Sequence, residues 1–126
     1  MFIIMYILRL NLEFNPIPYK RTTQRAMFVS KDYQRYKAFK ELLRLEFLKQ
    51  NKGLKLNEKT FYAYELEIGF LNKKHADADN IAKGVLDAIF KNDKNVICGK
   101  YEVKSFKKAY LALKIYEFDF KESNGS

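Results

Sequence analysis

Cysteine is nearly absent from this chain, since Cys98 is the only one in 126 residues. One thiol cannot close a disulfide within the chain or supply the several thiolates of a structural zinc site. Scarce cysteine is typical of reducing compartments, so we expect a cytoplasmic location. Long apolar runs are also missing: the N-terminal run reaches Arg9 after eight residues, whereas roughly 20 span a bilayer. Without a basic start or a cleavage site, this run predicts a β-strand and no membrane partner.

Acidic residues are in the minority, with 15 Asp and Glu against 24 Lys and Arg. The net charge is +9 and the pI is near 9.5. A positive field of this size favours polyanions, because binding releases their condensed counterions. The composition therefore predicts a nucleic-acid partner. A basic structural protein without enzymatic activity remains an open alternative.

Apolar residues recur with a period of two in some segments and with helical spacing in others. These patterns predict strands over residues 5–14, 61–71, 95–106 and 109–120, and helices over about 31–50 and 80–91. The order β-α-β-α-β-β predicts a single mixed β-sheet with helices packed on it, in the α+β or mixed α/β class. We expect one domain over residues 1–121 and a disordered C-terminal tail over 122–126.

Two carboxylates flank Ala78 where the second strand gives way to the second helix. In an extended stretch, residues i and i+2 point the same way, so Asp77 and Asp79 would face one solvent-accessible pocket. Their mutual repulsion would be relieved by a hard divalent cation such as Mg²⁺, which prefers oxygen ligands. Asp79 directly precedes the predicted helix, so an N-cap role is its alternative explanation. Asp77 has no such role in this prediction.

Lys83 and Asp87 follow Asp79 at intervals of four residues, which places the three along one helix face. Lys83 at the rim of the pocket would hold a phosphate or the leaving oxygen as a point charge. Alternatively, it forms an ordinary surface pair with Asp79 or Asp87. Two further residues have structural explanations: His75 as an inert, exposed loop residue, and Cys98 as a small buried apolar residue.

The full string from Asp77 to Val96, DADNIAKGVLDAIFKNDKNV, resembles the signature of the RusA family of Holliday junction resolvases. In that signature D-x-D-N is followed by Lys, by a helix with Asp-Ala, and by an acidic pair. The segment Asn92-Asp93-Lys94-Asn95-Val96 is similar to the last element, although Asn92 replaces the first acid. A longer alignment would instead place Gly99 and Lys100 at the acidic pair, and Glu102 would then be the nearest substitute acid.

The resemblance implies a Mg²⁺-dependent endodeoxyribonuclease, with Mn²⁺ as an alternative cofactor, that resolves Holliday junctions in DNA recombination and repair. It implies that Asp77, Asp79 and Asp93 hold the metal and that Lys83 is the basic catalytic residue. It also implies a homodimer that nicks four-way junction DNA symmetrically, and a bacterial or phage origin. Other substrates (flaps, forks or duplex) and a catalytically inactive DNA-binding dimer remain alternatives.

Basic residues in the polar connectors are predicted to form a phosphate-binding rim around the acidic cluster. They are Lys20, Arg21, Arg25, Lys73 and Lys74.

Overall fold

The computed structural model describes residues 4–21, 30–52 and 55–118. The elements in these ranges are β1 (Met5–Leu12), α1 (Lys31–Gln50), β2 (Tyr62–Gly69), α2 (Ala78–Ile89), a short 3-10 helix (Asp93–Asn95), β3 (Val96–Ser105) and β4 (Ala109–Glu117). The predicted order of strands and helices is confirmed. The predicted tail, 122–126, lies outside the described residues.

The strands form one four-stranded sheet in the order β1-β4-β2-β3. β4 runs antiparallel to both β1 and β2, whereas β2 and β3 are parallel. The parallel pair follows from α2, because a chain that leaves one strand must cross back before it can start a parallel neighbour. The sheet is therefore mixed and the fold is α+β, as predicted. β2 and β3 both end at one end of the sheet, which we call its C-terminal end; they begin at its N-terminal end.

Both helices lie on the same face of the sheet, where apolar side chains of all the layers meet. On three adjacent strands this face includes the buried side chains of Tyr6, Leu66 and Leu113. The apolar sides of α1 and α2 pack against it. The opposite face carries charged residues of both signs; for example, Glu65 on β2 lies opposite Lys114 on β4. The alternation of apolar and charged residues along the strands therefore decides which face the helices cover. Among the helices in the described ranges, none has both the length and the apolar character needed to cross a membrane.

The outer side of β1 is covered by two side-chain amides from the end of α1. Ile7 N–H donates to Asn51 Oδ1 at 2.9 Å, and Asn51 Nδ2 donates back to Ile7 O at 2.8 Å. In the same way, Arg9 N–H donates to Gln50 Oε1 at 2.8 Å, and Gln50 Nε2 donates back to Arg9 O at 2.9 Å. The amides satisfy backbone groups that an edge strand would otherwise offer to another strand. Asn51 is buried, which its three hydrogen bonds to backbone make tolerable.

Candidate metal and nucleic-acid site

The N-terminus of α2 carries both carboxylates of the D-x-D pair. The helix begins at Ala78, two residues earlier than predicted, and Asp77 is its N-cap: Asp77 Oδ1 accepts from Asp79 N–H at 3.2 Å. The predicted N-cap role of Asp79 is therefore wrong, because the cap position falls on the first Asp of the pair. Asp77 has extended backbone angles (φ −63°, ψ 127°), while Ala78 and Asp79 are already helical. The capping hydrogen bond, and not an i, i+2 extended geometry, keeps the Asp77 carboxylate beside Asp79.

Asp79 lies in the first turn of α2 and is exposed. Unpaired N–H groups at a helix start attract negative charge, so an acidic residue in the first turn stabilises the helix. The Asp79 charge also reaches the sheet below: burial raises the pKa of the Tyr64 phenol, and nearby Tyr101 and Asp79 raise it further. The Tyr64 ring lies directly over Gly99 of β3, where any larger residue would collide with it.

Lys83 lies one turn after Asp79 and is exposed. Its Nζ is 4.9 Å from the centre of the Tyr19 ring, a distance at which the cation is attracted to the ring face. Within the described ranges, no carboxylate lies close enough to form an ion pair with Lys83. The ordinary surface ion pair between Lys83 and Asp79 or Asp87 is therefore not formed. The ammonium is held over the Tyr19 ring, one helical turn after Asp79 in the sequence.

Asp87 belongs to the contact between the helices. Its carboxylate accepts from Tyr36 Oη at 2.6 Å and pairs with Lys40 Nζ at 2.8 Å, both on α1. Burial alone would raise the pKa of Asp87, but hydrogen bonds from Lys40 and Tyr36, with the charges of Lys40 and Arg44, lower it. Burial and the bond to Asp87 raise the pKa of Tyr36. The DA element of the signature therefore stabilises the fold.

Asp87→Asn should lower stability at neutral pH and have little effect in acid. The folded-state pKa of Asp87 is depressed, so its stabilisation is present above the unfolded pKa of about 3.9 and is lost as pH falls through the folded pKa. Urea unfolding of the wild type and the variant at pH 7 and below pH 4 measures the difference. A difference that is constant with pH would contradict an ionic role for Asp87.

Asp93 does not join the acidic pair. It begins the 3-10 helix that precedes β3, and β3 starts where Val96 pairs with Tyr62 at the N-terminal end of the sheet. Asp77 and Asp79 are at the other end of α2, a helix of about 18 Å at 1.5 Å per residue. The structure therefore brings two of the three predicted metal ligands together and keeps the third a helix length away.

Glu102, the substitute acid, lies on the sheet face that the helices leave open. It is in register with Glu67 and forms an ion pair with Lys104 at 3.3 Å. Cys98 is on the same strand and is exposed, so the prediction that it is buried is wrong. The reason is that β3 is an edge strand whose helix-free face has no covering layer. Neither residue is placed to contribute to the acidic pair.

The acidic pair suits a magnesium ion held by few protein ligands. Among the residues described, no group of three or more His, Cys, Asp or Glu side chains is arranged around a common metal position. Asp77 uses one carboxylate oxygen for the cap and keeps the other, and Asp79 is exposed. Magnesium is commonly bound by one or two carboxylates, with water and substrate phosphate completing its shell. The chain therefore fits such an ion at Asp77 and Asp79, and does not enclose it.

A basic groove of about 330 Å³ lies beside the acidic pair. Its walls include Lys20, Arg35 and Lys74, with Asp32 as its one acid, and Ala76 closes it next to Asp77. These residues are far apart along the chain, and Arg35 was not among the predicted DNA-binding residues. Its position on α1 could have suggested only a solvated helix face. Phosphate is the chemistry that three converging cations in an open groove suit best.

The groove exists because the segment after β1 crosses the C-terminal end of the sheet and lies against α2. Asn15 fixes the crossing, since its side chain donates to Lys74 O at 3.0 Å and accepts from Leu71 N–H at 2.7 Å. Tyr19 N–H then donates to Asn80 O at 3.0 Å. Gly84 allows this approach, because a Cβ there would lie 3.1 Å from the Tyr19 nitrogen.

Two of the three remaining predicted DNA-binding residues lie at the same end of the sheet. Arg21 is exposed at the end of the crossing segment, and Lys73 is exposed in the loop after β2. Arg25 lies outside the described residues. The turn between β3 and β4 adds exposed Lys107 and Lys108, which the sequence analysis did not select. The pairing of β2 with β3 brings this turn to the C-terminal end, and a single sequence gives no signal of that pairing.

His75 joins the loop after β2 to the β3–β4 turn through ring contacts. Its imidazole stacks on Phe70 at 4.6 Å between centroids and lies 5.2 Å from Phe106. His75 is exposed, as predicted, but it packs between two aromatic rings. The contact fixes the loop two residues before Asp77, so His75 positions the acidic pair relative to β3.

Neither a known protein-family model nor a curated protein sequence matches this chain. The functional assignment therefore depends on the residues and geometry described above.

Proposed function

We propose that this protein is a metal-dependent endodeoxyribonuclease of the RusA type, which cuts four-way DNA junctions by paired nicks as a homodimer. The observation that carries the proposal is the conjunction at the start of α2. Asp77 and Asp79 are exposed carboxylates at the start of this helix. Lys83, one turn after Asp79, has no ion-pair partner among the described residues, and Ala76, next to Asp77, lines the basic groove. Acidic residues repel DNA, so this arrangement suits cleavage of a phosphodiester better than simple binding.

Asp77 and Asp79 would hold the Mg²⁺ or Mn²⁺ of this reaction. When bound, such an ion lowers the pKa of a water molecule and offsets charge on the phosphate. The capping bond fixes Asp77 in place. The chain thereby orders two carboxylates before substrate arrives, which lowers the cost of assembling the site.

Lys83 would stabilise the negative charge that develops on the phosphate or on the leaving oxygen. The Tyr19 ring holds its ammonium by a cation–π contact, which leaves its hydrogens free for oxygen acceptors. A fixed positive charge near a developing anion contributes most where nearby acids do not neutralise it. The absence of an ion pair to Lys83 within the described ranges supports this role.

The groove lined by Lys20, Arg35 and Lys74 would position the DNA backbone next to the acidic pair. Contacts of this kind set the register of a nucleic acid without reading its sequence. They suit a substrate recognised by shape, such as a junction. A flap, fork or duplex nuclease would use the same residues, and a catalytically inactive DNA-binding dimer would keep only the groove.

A cleavage assay on labelled four-way junction, fork, flap and linear duplex separates these functions. We expect Mg²⁺-dependent nicks placed symmetrically in two opposed strands of the junction, and little cleavage of linear duplex. Equal cleavage of all substrates would identify a nuclease without junction preference. Tight junction binding without cleavage in either Mg²⁺ or Mn²⁺ would identify the DNA-binding dimer and refute the enzymatic proposal.

A further inference from the structure

A second groove, of about 590 Å³, lies between the C-terminal ends of α1 and α2, and most of the side chains that line it are apolar. Leu48 of α1, Leu56 of the loop before β2 and Ile89 of α2 contribute to its walls. The loop is fixed there by Tyr6, whose Oη donates to Lys55 O at 2.9 Å. This apolar groove therefore lies at the other end of α2 from the acidic pair.

Apolar side chains also lie uncovered at the edge of the apolar groove. Leu45 and Leu48 are 62% and 58% exposed, more than any other large apolar side chain in the described ranges. Residues three apart on a helix are neighbours on its surface. A single exposed leucine is common on a protein surface, but two neighbours beside an apolar groove form a continuous patch, which is typical of an interaction site. A partner that covers this part of α1 would bury both leucines.

The charged side chains that line the apolar groove in the described ranges are all cations, namely Arg44, Lys55 and Lys91. Arg44 pairs with Glu41 at 3.0 Å and donates from Nε to Ala88 O at 3.3 Å. Lys55 and Lys91 have no ion-pair partner in the described ranges. The C-terminal ends of helices attract cations, which accounts for the charges but not for the exposed leucines beside them. Apolar walls with unpaired cations complement a chain that is both apolar and acidic.

Two other occupants fit the apolar groove less well. In a symmetric pair of copies that met at this face, the cations of one copy would face the same cations of the other, and each chain carries a net charge of +9. Nucleic acid would pair with the lysines, but Leu48 and Leu56 offer no hydrogen bond to phosphate and no aromatic face on which a base can stack. Phe47, the aromatic residue of the described lining, is buried.

We infer that the apolar groove binds a short acidic segment of another protein, whose apolar side chains pack against Leu48 and Ile89 while its carboxylates pair with Lys55 and Lys91. Apolar anchors in a groove give such a complex its affinity, and the charges around them select the partner and fix its orientation. The partner would leave the basic groove and the acidic pair open, because they lie at the other end of α2. This inference goes beyond the proposed nuclease activity and does not depend on it.

A random peptide library displayed on phage and selected against the full chain tests the recognition. We expect the enriched sequences to combine Asp or Glu with large apolar residues. A labelled peptide of such a sequence should bind in fluorescence anisotropy, and replacing either its acids with amides or its apolar residues with Ala should weaken binding at least about tenfold, or about 1.4 kcal/mol. Enrichment of basic or uncharged sequences, or no enrichment at all, would overturn the inference.

Leu45→Ser with Leu48→Ser tests the apolar part of the surface. Both side chains are exposed, so the fold should persist in circular dichroism while the selected peptide binds at least about tenfold more weakly. Unchanged peptide binding by this variant would refute the inference. Sedimentation equilibrium of the wild type and the variant without peptide tests the alternative occupant. A wild-type assembly that the two serines dissociate would show that a second copy covers this face, and would refute an acidic partner.

Charge reversal tests the cations of the apolar groove. Lys55→Glu with Lys91→Glu should also weaken the selected peptide at least about tenfold, since its carboxylates would then face carboxylates. The control, Lys107→Glu with Lys108→Glu, makes the same change in net charge in the exposed turn between β3 and β4, at the other end of the sheet. Its peptide binding should stay close to that of the wild type. Equal losses in the two variants would mean that the net charge of the chain, and not the groove, attracts acidic peptides, and would overturn the site.

Discussion

Asp79→Asn should leave junction binding intact and slow cleavage by about 10²–10³-fold, the usual effect of removing one group that stabilises charge in a transition state. The substitution keeps the size of the side chain and removes the charge that would hold the metal. Because Asp77 is the N-cap, the capping hydrogen bond is unaffected. Binding should be unchanged or slightly tighter, since one negative charge near the DNA is lost. Single-turnover cleavage and fluorescence anisotropy on the same junction measure the two effects.

Asp32→Asn is the control for the loss of a charge at a helix start. Because Asp32 also lines the basic groove, the cleavage rates of the two variants are compared at protein concentrations that saturate the junction. Asp32 occupies the same position in α1, two residues after the N-cap Ser30, and is equally exposed. Loss of either charge costs a comparable interaction with its helix, about 0.3–1 kcal/mol. A helix-stability effect would therefore appear in both variants, and a catalytic effect only in Asp79→Asn. Unaltered cleavage by folded Asp79→Asn would remove Asp79 from the mechanism.

Reversing two charges in the basic groove should weaken junction binding strongly. Lys20→Glu with Lys74→Glu removes two cations that line the groove and adds two anions. If each lysine contacts one phosphate, the slope of log K against log salt should become about 2 units shallower, since each contact contributes about 0.9. Binding measured from about 50 to 200 mM salt gives this slope.

The control for the groove variant has the same change in net charge elsewhere. Lys59 lies in the loop before β2, at the N-terminal end of the sheet, and Lys114 lies on the face that the helices leave open. Lys59→Glu with Lys114→Glu should keep most of the salt slope. Equal losses in both variants would mean that overall charge, and not the groove, binds DNA. Salt-insensitive binding by the wild type would contradict a phosphate-binding role altogether.

Local pattern was sufficient to predict the strands and helices. Period-two alternation located β1 and β2, and α1 begins where predicted, after its N-cap Ser30, which accepts from Tyr33 N–H at 3.2 Å. The start of α2 was placed two residues late, because the segment holds two Asp residues and either can cap. That small error exchanged the roles of Asp77 and Asp79. A boundary between elements depends on local hydrogen bonds that a sequence pattern does not resolve.

The contacts between distant segments could not be predicted from one sequence. Asp87 was expected on a face with Lys83, yet it bonds to Tyr36 and Lys40 of α1, because helical spacing gives no information about the neighbouring helix. The contacts of Asn15 with Leu71 and Lys74 could not be predicted for the same reason, since they join segments far apart in the chain. The groove at Lys20 and Lys74 depends on that crossing, so only its charge, and not its shape, was foreseeable.

The amide pairs at β1 have a consequence for how this protein would assemble. If both outer strands were free, each added copy would present a fresh edge, and the sheet could extend into a ribbon of many chains. Gln50 and Asn51 fill the backbone positions of β1 that a further copy would use. Two residues at the end of one helix thereby keep the backbone groups of β1 from pairing with a strand of another chain, and Gln50→Ala with Asn51→Ala should favour assemblies that light scattering detects.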